Sequence, residues 1–434
     1  MATIRELAEE HWQGRGDLVH AHHPVQRIHD EDGRVTGEEI EDGVLFLKSV
    51  ASVNAIDTGD GLVMLDTGGL FDREVVHGEV RRWRPDAPLA AAIYSHHHID
   101  HIYGTALFEA EAADHGWARP VVYAHEDLPA NFDRYEITQG WNTAINRRQF
   151  AIDQPKWQWP SEYRRPDVTY HRHLTFTRGA DTFELHHARG ETDDATWTWV
   201  PERKILHPGD LFIWAVPNAG NPQKVQRYLS DWAAALREMA ALEPEIMLAG
   251  HGLPIFGSER VVPALLDTAE LLDTIEAQTL AIMNEGKNLD TCLHEVTVPE
   301  HLRTQPYLRP VYDHPQFLVR NVWRRYGGWY DGEPDNLLPA PRVQQAREWI
   351  ALAGGVDPVL TRAQALLADG DARAACHLVE FAALAEPDNA DVWSVRAEAY
   401  QAYSATQESS MARNILGHAA RASEQHKRDI AGDY

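Results

Sequence analysis

The sequence predicts an α/β domain followed by an all-α tail, and three observations carry that reading. Short runs of β-branched and apolar residues alternate with helical patterns as far as about residue 255. After Gly257 the apolar spacing becomes helical. Beyond a Pro-bearing stretch at 333–341, Gly370-Asp371 and Pro387-Asp388-Asn389 punctuate four or five further helical stretches in the manner of helical hairpins. The chain of 434 residues accordingly divides into an N-terminal arm at 1–42, an α/β domain at 43–260, a helical connecting region and linker at 261–341, and a helical domain at 342–434.

Taken in order, the arm is polar and His-bearing, with a helical pattern at Ile4–Trp12 and a turn at Asp32-Gly33. Val44–Val50, Ser52–Asp57 and Leu62–Leu65 read as a strand meander, broken by turn residues such as Asp60-Gly61. Phe71–Trp83 reads as an amphipathic helix, and Leu89–Tyr94 as a strand that runs directly into Ser95-His96-His97-His98. Strands follow at Pro120–Tyr123, Phe183–His187, Thr196–Val200 and Ile205–Leu206, then a helix at Val225–Leu242 and a strand at Ile246–Leu248. Val261–Met283 and Pro315–Tyr326 are helical, and the tail has the spacing of a tetratricopeptide-like pair.

Composition excludes several classes of function. With 40 Lys+Arg against 66 Asp+Glu the formal net charge is −26, so the chain repels phosphate backbones and nucleic acid is not an expected partner. No apolar run reaches the ~18–20 residues that span a bilayer. The opening segment MATIRELAEEHWQGRG lacks the apolar core of a secretory signal. The two cysteines, Cys292 and Cys376, supply neither a disulfide framework nor a four-cysteine zinc site. A soluble, cytoplasmic, reduced protein is the expectation.

The 24 histidines are informative by placement. His96-His97-His98-Ile99-Asp100-His101 is the densest ligand cluster in the chain. In extended backbone, residues two apart share a face, so His96 and His98 can reach one metal while Asp100 and His101 address a second. Imidazole mixed with carboxylate suits Zn²⁺, with Mn²⁺ or Fe as alternatives. Three further candidates follow short apolar strands and have a glycine before them: Glu191 in Arg189-Gly190-Glu191-Thr192, Asp210 in Pro208-Gly209-Asp210-Leu211, and His251 in Ala249-Gly250-His251-Gly252. All three would gather at one edge of the sheet.

His-x-His-x-Asp-His followed by these glycine-flanked ligands resembles the metallo-β-lactamase superfamily, an αββα sandwich with a dinuclear metal centre. Glu191, where the common pattern has Gly-His-Thr, is similar to the alkyl sulfatase branch. Tyr312–Arg324 and Tyr326–Gly332 resemble that branch's connecting region, and Leu360–Asn389 its helical dimerisation domain. The resemblance covers roughly 43–425 and implies a homodimer. It also implies one metal held by His96, His98 and Glu191, and another held by Asp100, His101 and His251, with Asp210 serving the second metal or bridging both. Asn218 falls where the sulfatases place a sulfate-facing asparagine. Two departures bear on substrate. The family's second carboxylate is usually Glu in Met-Ala-Glu-Asn, and here it is Asp210; the arginine expected shortly after Asn218 is absent, leaving Lys224 or Arg227 as substitutes.

The chemistry expected of such a site is hydrolysis by a metal-bridging hydroxide, with two ions ~3.5–4 Å apart and Asp100, Asp210 and Asn218 as the catalytic side chains. Three carboxylates against two divalent ions leave a centre of about +1, which favours an anionic or oxygen-rich small-molecule substrate. Asp66, Asp193 or Asp194 are candidates to orient the imidazoles. His97 and His187 are candidate proton donors, although strand alternation points each away from its ligand neighbour. His20, His22 and His23 could cover the site, Arg147 or Arg148 could bind an anion, and Trp141, Trp197, Trp199, Trp214 and Trp329 could line an apolar pocket. Cys376 lies on an apolar helix face and is expected to be a buried thiol. The reading is a dinuclear-metal hydrolase of sulfate esters. The alternatives are hydrolysis of another ester, lactone, amide or phosphoester, di-iron redox chemistry, or a helical-tail interaction protein with a vestigial lactamase-like domain.

Overall fold

A computed structural model describes residues 3–15, 37–152, 154 and 156–431. Asp32-Gly33, His20, His22 and His23 lie outside the described residues. Two sheets stack face to face. The first holds seven strands in the order β1 to β7: Gly37–Glu41, Val44–Lys48, Ser52–Asp57, Leu62–Leu65, Leu89–Ile93, Val121–His125 and Val168–Tyr170. The second runs β13-β12-β11-β10-β9-β8, from β8 (His173–Arg178), β9 (Asp181–His187) and β10 (Thr196–Val200) to β11 (Ile205–Ile213), β12 (Ile246–His251) and β13 (Ile255–Phe256).

The residue alternation explains the layers. In β2, Val44 and Phe46 face the second sheet and share a core with Phe183, Leu185, Ile205 and Leu248, while Leu45 and Leu47 point outward onto Val76 and Val80 of the helix Arg73–Trp83. On the far side, Trp197, Leu206 and Met247 pack beneath the helices Leu229–Ala240, Ser258–Asn284 and Pro315–Gly327. The order of layers is therefore helix, sheet, sheet, helix. β1 to β4 form an antiparallel meander, whereas β4 to β7 run parallel, as do β11 and β12. A parallel pair needs a crossover, and the helices Arg73–Trp83, Thr105–His115 and Leu229–Ala240 supply it.

Residues 258–327 are packed into the same core as the second sheet. The tail is five helices, Arg342–Leu352, Val356–Ala368, Ala372–Ala385, Ala390–Ala405 and Ser410–Glu424, with their own core around Val379, Trp393 and a buried Cys376. It does not hang free of the α/β domain. Arg148 pairs with Asp429 at 2.5 Å, the Ser410 amide donates to the Val311 carbonyl, and Asn414 Nδ2 donates to the Gln149 carbonyl at 2.8 Å. Among the described residues no helix is long and apolar enough to cross a membrane.

Candidate metal centre and its cavity

The candidate ligands collect at one end of the sandwich because of where their strands stop. β5 ends at Ile93, and the histidine cluster follows it in a loop rather than in extended backbone. His96 and His98 nevertheless meet, with His96 Nε2 2.8 Å from His98 Nδ1, because the loop curls over the sheet edge. Glu191 follows β9, as expected. Asp210 lies within β11 rather than past its end, and His251 is the last residue of β12. β11 runs longer than its apolar run because β12 pairs with it as far as Ile213, whereas β10 pairs only with its first three residues, Ile205, Leu206 and His207. The glycines make room at this point. A Cβ on Gly250 would lie 2.3 Å from Asp210 Oδ1, and Gly209 has φ +54° with its absent Cβ facing Ser95.

All seven candidates come together in two groups. Donor atoms of His96, His98, Glu191 and Asp210 lie within 4.8 Å of one another, as do those of Asp100, His101 and His251. Asp210 links the groups: Oδ1 is 3.5 Å from His101 Nε2, and Oδ2 is 3.3 Å from His251 Nε2 and 3.8 Å from His96 Nε2. Asp100 Oδ2 is 3.3 Å from His251 Nε2.

His101, His251 and Glu191 are each aimed by a neighbour. Asp66, buried just past β4 with a left-handed φ of 59°, accepts from the Ser95 amide and hydroxyl and from His101 Nδ1, each at 2.7 Å. That leaves His101 Nε2 pointing into the site. His251 Nδ1 donates to the Val50 carbonyl at 2.8 Å, which turns its Nε2 the same way. Glu191 Oε1 accepts from Asn218 Nδ2 and pairs with Arg227 Nη1 at 2.7 Å, leaving Oε2 without a hydrogen-bond partner. Asn218 is thus a holder of Glu191 as well as a cavity residue, and Arg227, buried, is its partner in that task.

These residues fit a pair of divalent cations. Glu191 Oε2, Asp210 Oδ1 and His101 Nε2 are buried without hydrogen-bond partners, and they converge. Charge agrees with geometry. Burial opposes protonation of His251, yet Asp210 and Asp100 push it up to about 10, and His101 is likewise held well above the ordinary imidazole range against burial by Asp210, Asp66 and Asp100. Burial works against ionised Asp100 and Asp210 too, but His101 and His251 outweigh it, setting Asp100 at about 2 and Asp210 well below the usual range. Glu191 is pushed up to about 8 by burial and then by Asp210. His96 and His98 go the other way, His96 pushed down to about 4 and His98 well below the ordinary imidazole range, both by burial first, so they stand ready as neutral ligands. The half of the cluster around Asp100 and Asp210 instead retains protons on His101 and His251 to balance its carboxylates, a place where positive charge is wanted.

Over this floor opens a cavity of about 730 Å³. Phe71, Phe150, Ile152, Trp157 and Trp159 provide apolar walls, and Asn146, Gln149, Tyr312 and Asn414 a polar side. Lys224 lines it, 3.3 Å from Asn146 Oδ1 and over the Trp159 ring, its ammonium pushed down to about 7 by burial and then by Arg227 and Arg134. Several expectations are corrected here. Trp197, Trp199 and Trp214 are core, and Trp141 and Trp329 are exposed outside the cavity; the tryptophans that line it are Trp157 and Trp159, and their alternation in Lys156-Trp157-Gln158-Trp159 is the sequence signal for them. Arg148 is committed to Asp429, and neither it nor Arg147 lines the cavity. His97 has both ring nitrogens engaged, by Asp194 at 2.9 Å and Arg134 at 3.1 Å, and His187 stacks on His125 with centroids 3.6 Å apart. Asp193 accepts from Asn131, so of the three orienting candidates only Asp66 touches a metal-candidate imidazole. No sequence signal pointed to Asn414, which arrives from the tail.

Residues 47–251 match the metallo-beta-lactamase superfamily, and residues 288–426 match the alkyl sulfatase dimerisation family. Over 370 residues the chain is 29% identical to a linear primary-alkylsulfatase of Pseudomonas sp. (strain ATCC 19151), covering 80% of this chain and 69% of that protein. It is 27% identical over 395 residues to an (R)-specific secondary-alkylsulfatase of Pseudomonas sp., with coverage of 84% and 58%. Similarity extends to the alkyl/aryl-sulfatase BDS1 of Saccharomyces cerevisiae, 25% identical over 398 residues and covering 84% of this chain and 60% of that one. The chain thus spans between 58% and 69% of the length of these relatives. In fold it is similar to the stereoselective inverting sec-alkylsulfatase Pisa1 from Pseudomonas sp., with a TM-score of 0.82 at 21% identity, over 98% of this chain and 78% of that one.

Proposed function

We propose that this chain, whose residues 47–251 match the metallo-beta-lactamase superfamily and residues 288–426 the alkyl sulfatase dimerisation family, hydrolyses sulfate esters of alcohols at a dinuclear divalent-metal centre. One observation carries the reading furthest: seven metal-capable side chains gather beneath a cavity that five of them, His98, Asp100, Glu191, Asp210 and His251, line directly, and whose walls are mainly apolar with Lys224 among them. An anionic head with an apolar chain fits that division.

In this reading His96, His98 and Glu191 hold one ion, Asp100, His101 and His251 hold the other, and Asp210 reaches both. When bound, the metal pair supplies Lewis acidity and an acidified water for attack. The remaining work belongs to the protein. Arg227 and Asn218 hold one oxygen of Glu191 and aim the other; Asp66 and the Val50 carbonyl keep the Nε2 atoms of His101 and His251 facing inward. Lys224 takes the place of the missing arginine as the group that attracts the anionic head, since Arg227 is committed to Glu191. Trp157, Trp159 and Phe150 shelter the apolar part of the substrate from water. Zinc is the first choice of metal on the imidazole–carboxylate donor set. A homodimer through the helical tail is supported by the family match at 288–426 and by the exposure of Leu338, Trp349 and Leu352, at 92%, 60% and 80%.

The test is sulfate release, followed by ion chromatography, from primary and secondary alkyl sulfates with zinc-loaded protein. Release that stops with chelator is the expected result. Metal-replete protein that releases phosphate from alkyl phosphates but no sulfate would transfer the assignment to phosphoesters, with Asp210 the first residue to exchange.

A further inference from the structure

A third group of metal-capable side chains lies on the β8–β9 hairpin, at the open edge of the second sheet. It comprises His173, Glu184 and His186, with donor atoms within 4.8 Å of one another. The register itself assembles them. His173 is paired directly across from His186, and Glu184 lies two residues earlier on the same face of β9. The two imidazole centroids are 4.5 Å apart, and Glu184 Oε2 is 3.7 Å from His186 Nε2. Trp197, the next residue across on β10, stacks on His186 with centroids 4.0 Å apart and planes 10° from parallel, so that ring is oriented by packing. A solvated surface histidine turns its nitrogens to water; His186 instead keeps a buried Nε2 that has no hydrogen-bond partner, directed at the other two side chains.

We propose that His173, Glu184 and His186 bind one divalent transition-metal ion of borderline hardness, Zn²⁺ or Cu²⁺, separate from the centre in the cavity. Two imidazoles and a carboxylate are the donors such ions take, at ~2.0–2.2 Å each. His173 is exposed and Glu184 half-buried, so both can rotate onto an ion held by the fixed ring of His186, with water completing the coordination. The ion would cross-link edge strand β8 to β9 without touching the cavity.

Full-length wild-type protein and His173→Gln are each dialysed against buffered Zn²⁺, and metal per chain is measured by mass spectrometry. Whatever number of ions the cavity holds, the wild type should carry one equivalent more than H173Q, and Glu184→Gln should bind that extra ion more weakly. Cu²⁺ titration should give a phase of tryptophan quenching in the wild type, from Trp197, that H173Q lacks. Because His173 is exposed, the variant keeps its fold, which circular dichroism checks. Equal metal content and identical quenching in the two proteins would overturn the proposal.

Discussion

On the floor of the cavity, side chains that face the reaction are held by others that do not: His101 by Asp66, His251 by the Val50 carbonyl, Glu191 by Arg227 and Asn218. The walls are made differently. Phe71, Phe150, Trp157 and Trp159 stand on loops and helix ends, and Asn414 comes from the last helix of the tail. The floor is polar and mostly buried, and its orientation rests on specific hydrogen bonds and ion pairs. The walls depend on packing between segments far apart in the chain, with Phe71 58% and Phe150 41% exposed. The contrast suggests that floor residues set whether chemistry occurs, and wall residues set on what.

That division can be broken most easily at Glu191. Glu191→Ala should abolish turnover and lower metal occupancy measured by mass spectrometry; a fully loaded, fully active variant would remove it from the ligand set. Next comes Asp66→Asn, which keeps the shape but weakens the acceptor for His101 Nδ1. The expected cost is about 10–100-fold in metal affinity or activity, with KM little changed. An unchanged metal affinity would mean that packing alone orients the ring.

Lys224 stands between floor and wall. Its ammonium, pushed down to about 7, is charged below that pH and loses its proton above it, so attraction for an anionic ester should fall as pH rises through neutrality. KM should therefore climb with pH in the wild type. Lys224→Gln should show an already raised KM, by about tenfold, with that dependence flattened. A parallel pH profile in the variant would assign the titration to another group.

The smallest expected effect is at the wall. Each methylene buried contributes about 0.8 kcal/mol, roughly a fourfold gain in affinity per carbon. Trp159→Ala should shrink the gain in kcat/KM per added carbon by a few-fold while leaving metal content intact. A loss of kcat independent of chain length would show that Trp159 supports the floor, through Lys224, rather than the substrate.

The seven candidate ligands could be read from the sequence because their chemistry is local. Imidazoles and carboxylates next to glycine, at the ends of apolar runs, carry the same signal wherever the strands end up. The fold class could be read for the same reason: the continuous apolar run that opens Val44–Lys48 and the helical spacing in Val261–Met283 are properties of a few neighbouring residues. Strand lengths were less accessible. β11 extends to Ile213 through a polar His-Pro-Gly-Asp stretch, where pairing with the distant strand β12 carries it on. The edge strands β7 and β8 and the helices Leu128–Ile137 and Gln139–Gln149 carried weak apolar patterns and went unpredicted.

What the sequence determined by itself was therefore the inventory of chemistry and the succession of strands and helices along the chain, because both depend on residue type and short-range period. Tertiary structure alone decided the partners. Arg227 meets Glu191 across 36 residues, His251 meets the carbonyl of Val50 across 201, and Asn414 joins the cavity from a helix that folds back 265 residues after Gln149. Such contacts follow from the path of the whole chain, since any residue of the right size and polarity at the point of closest approach could have served.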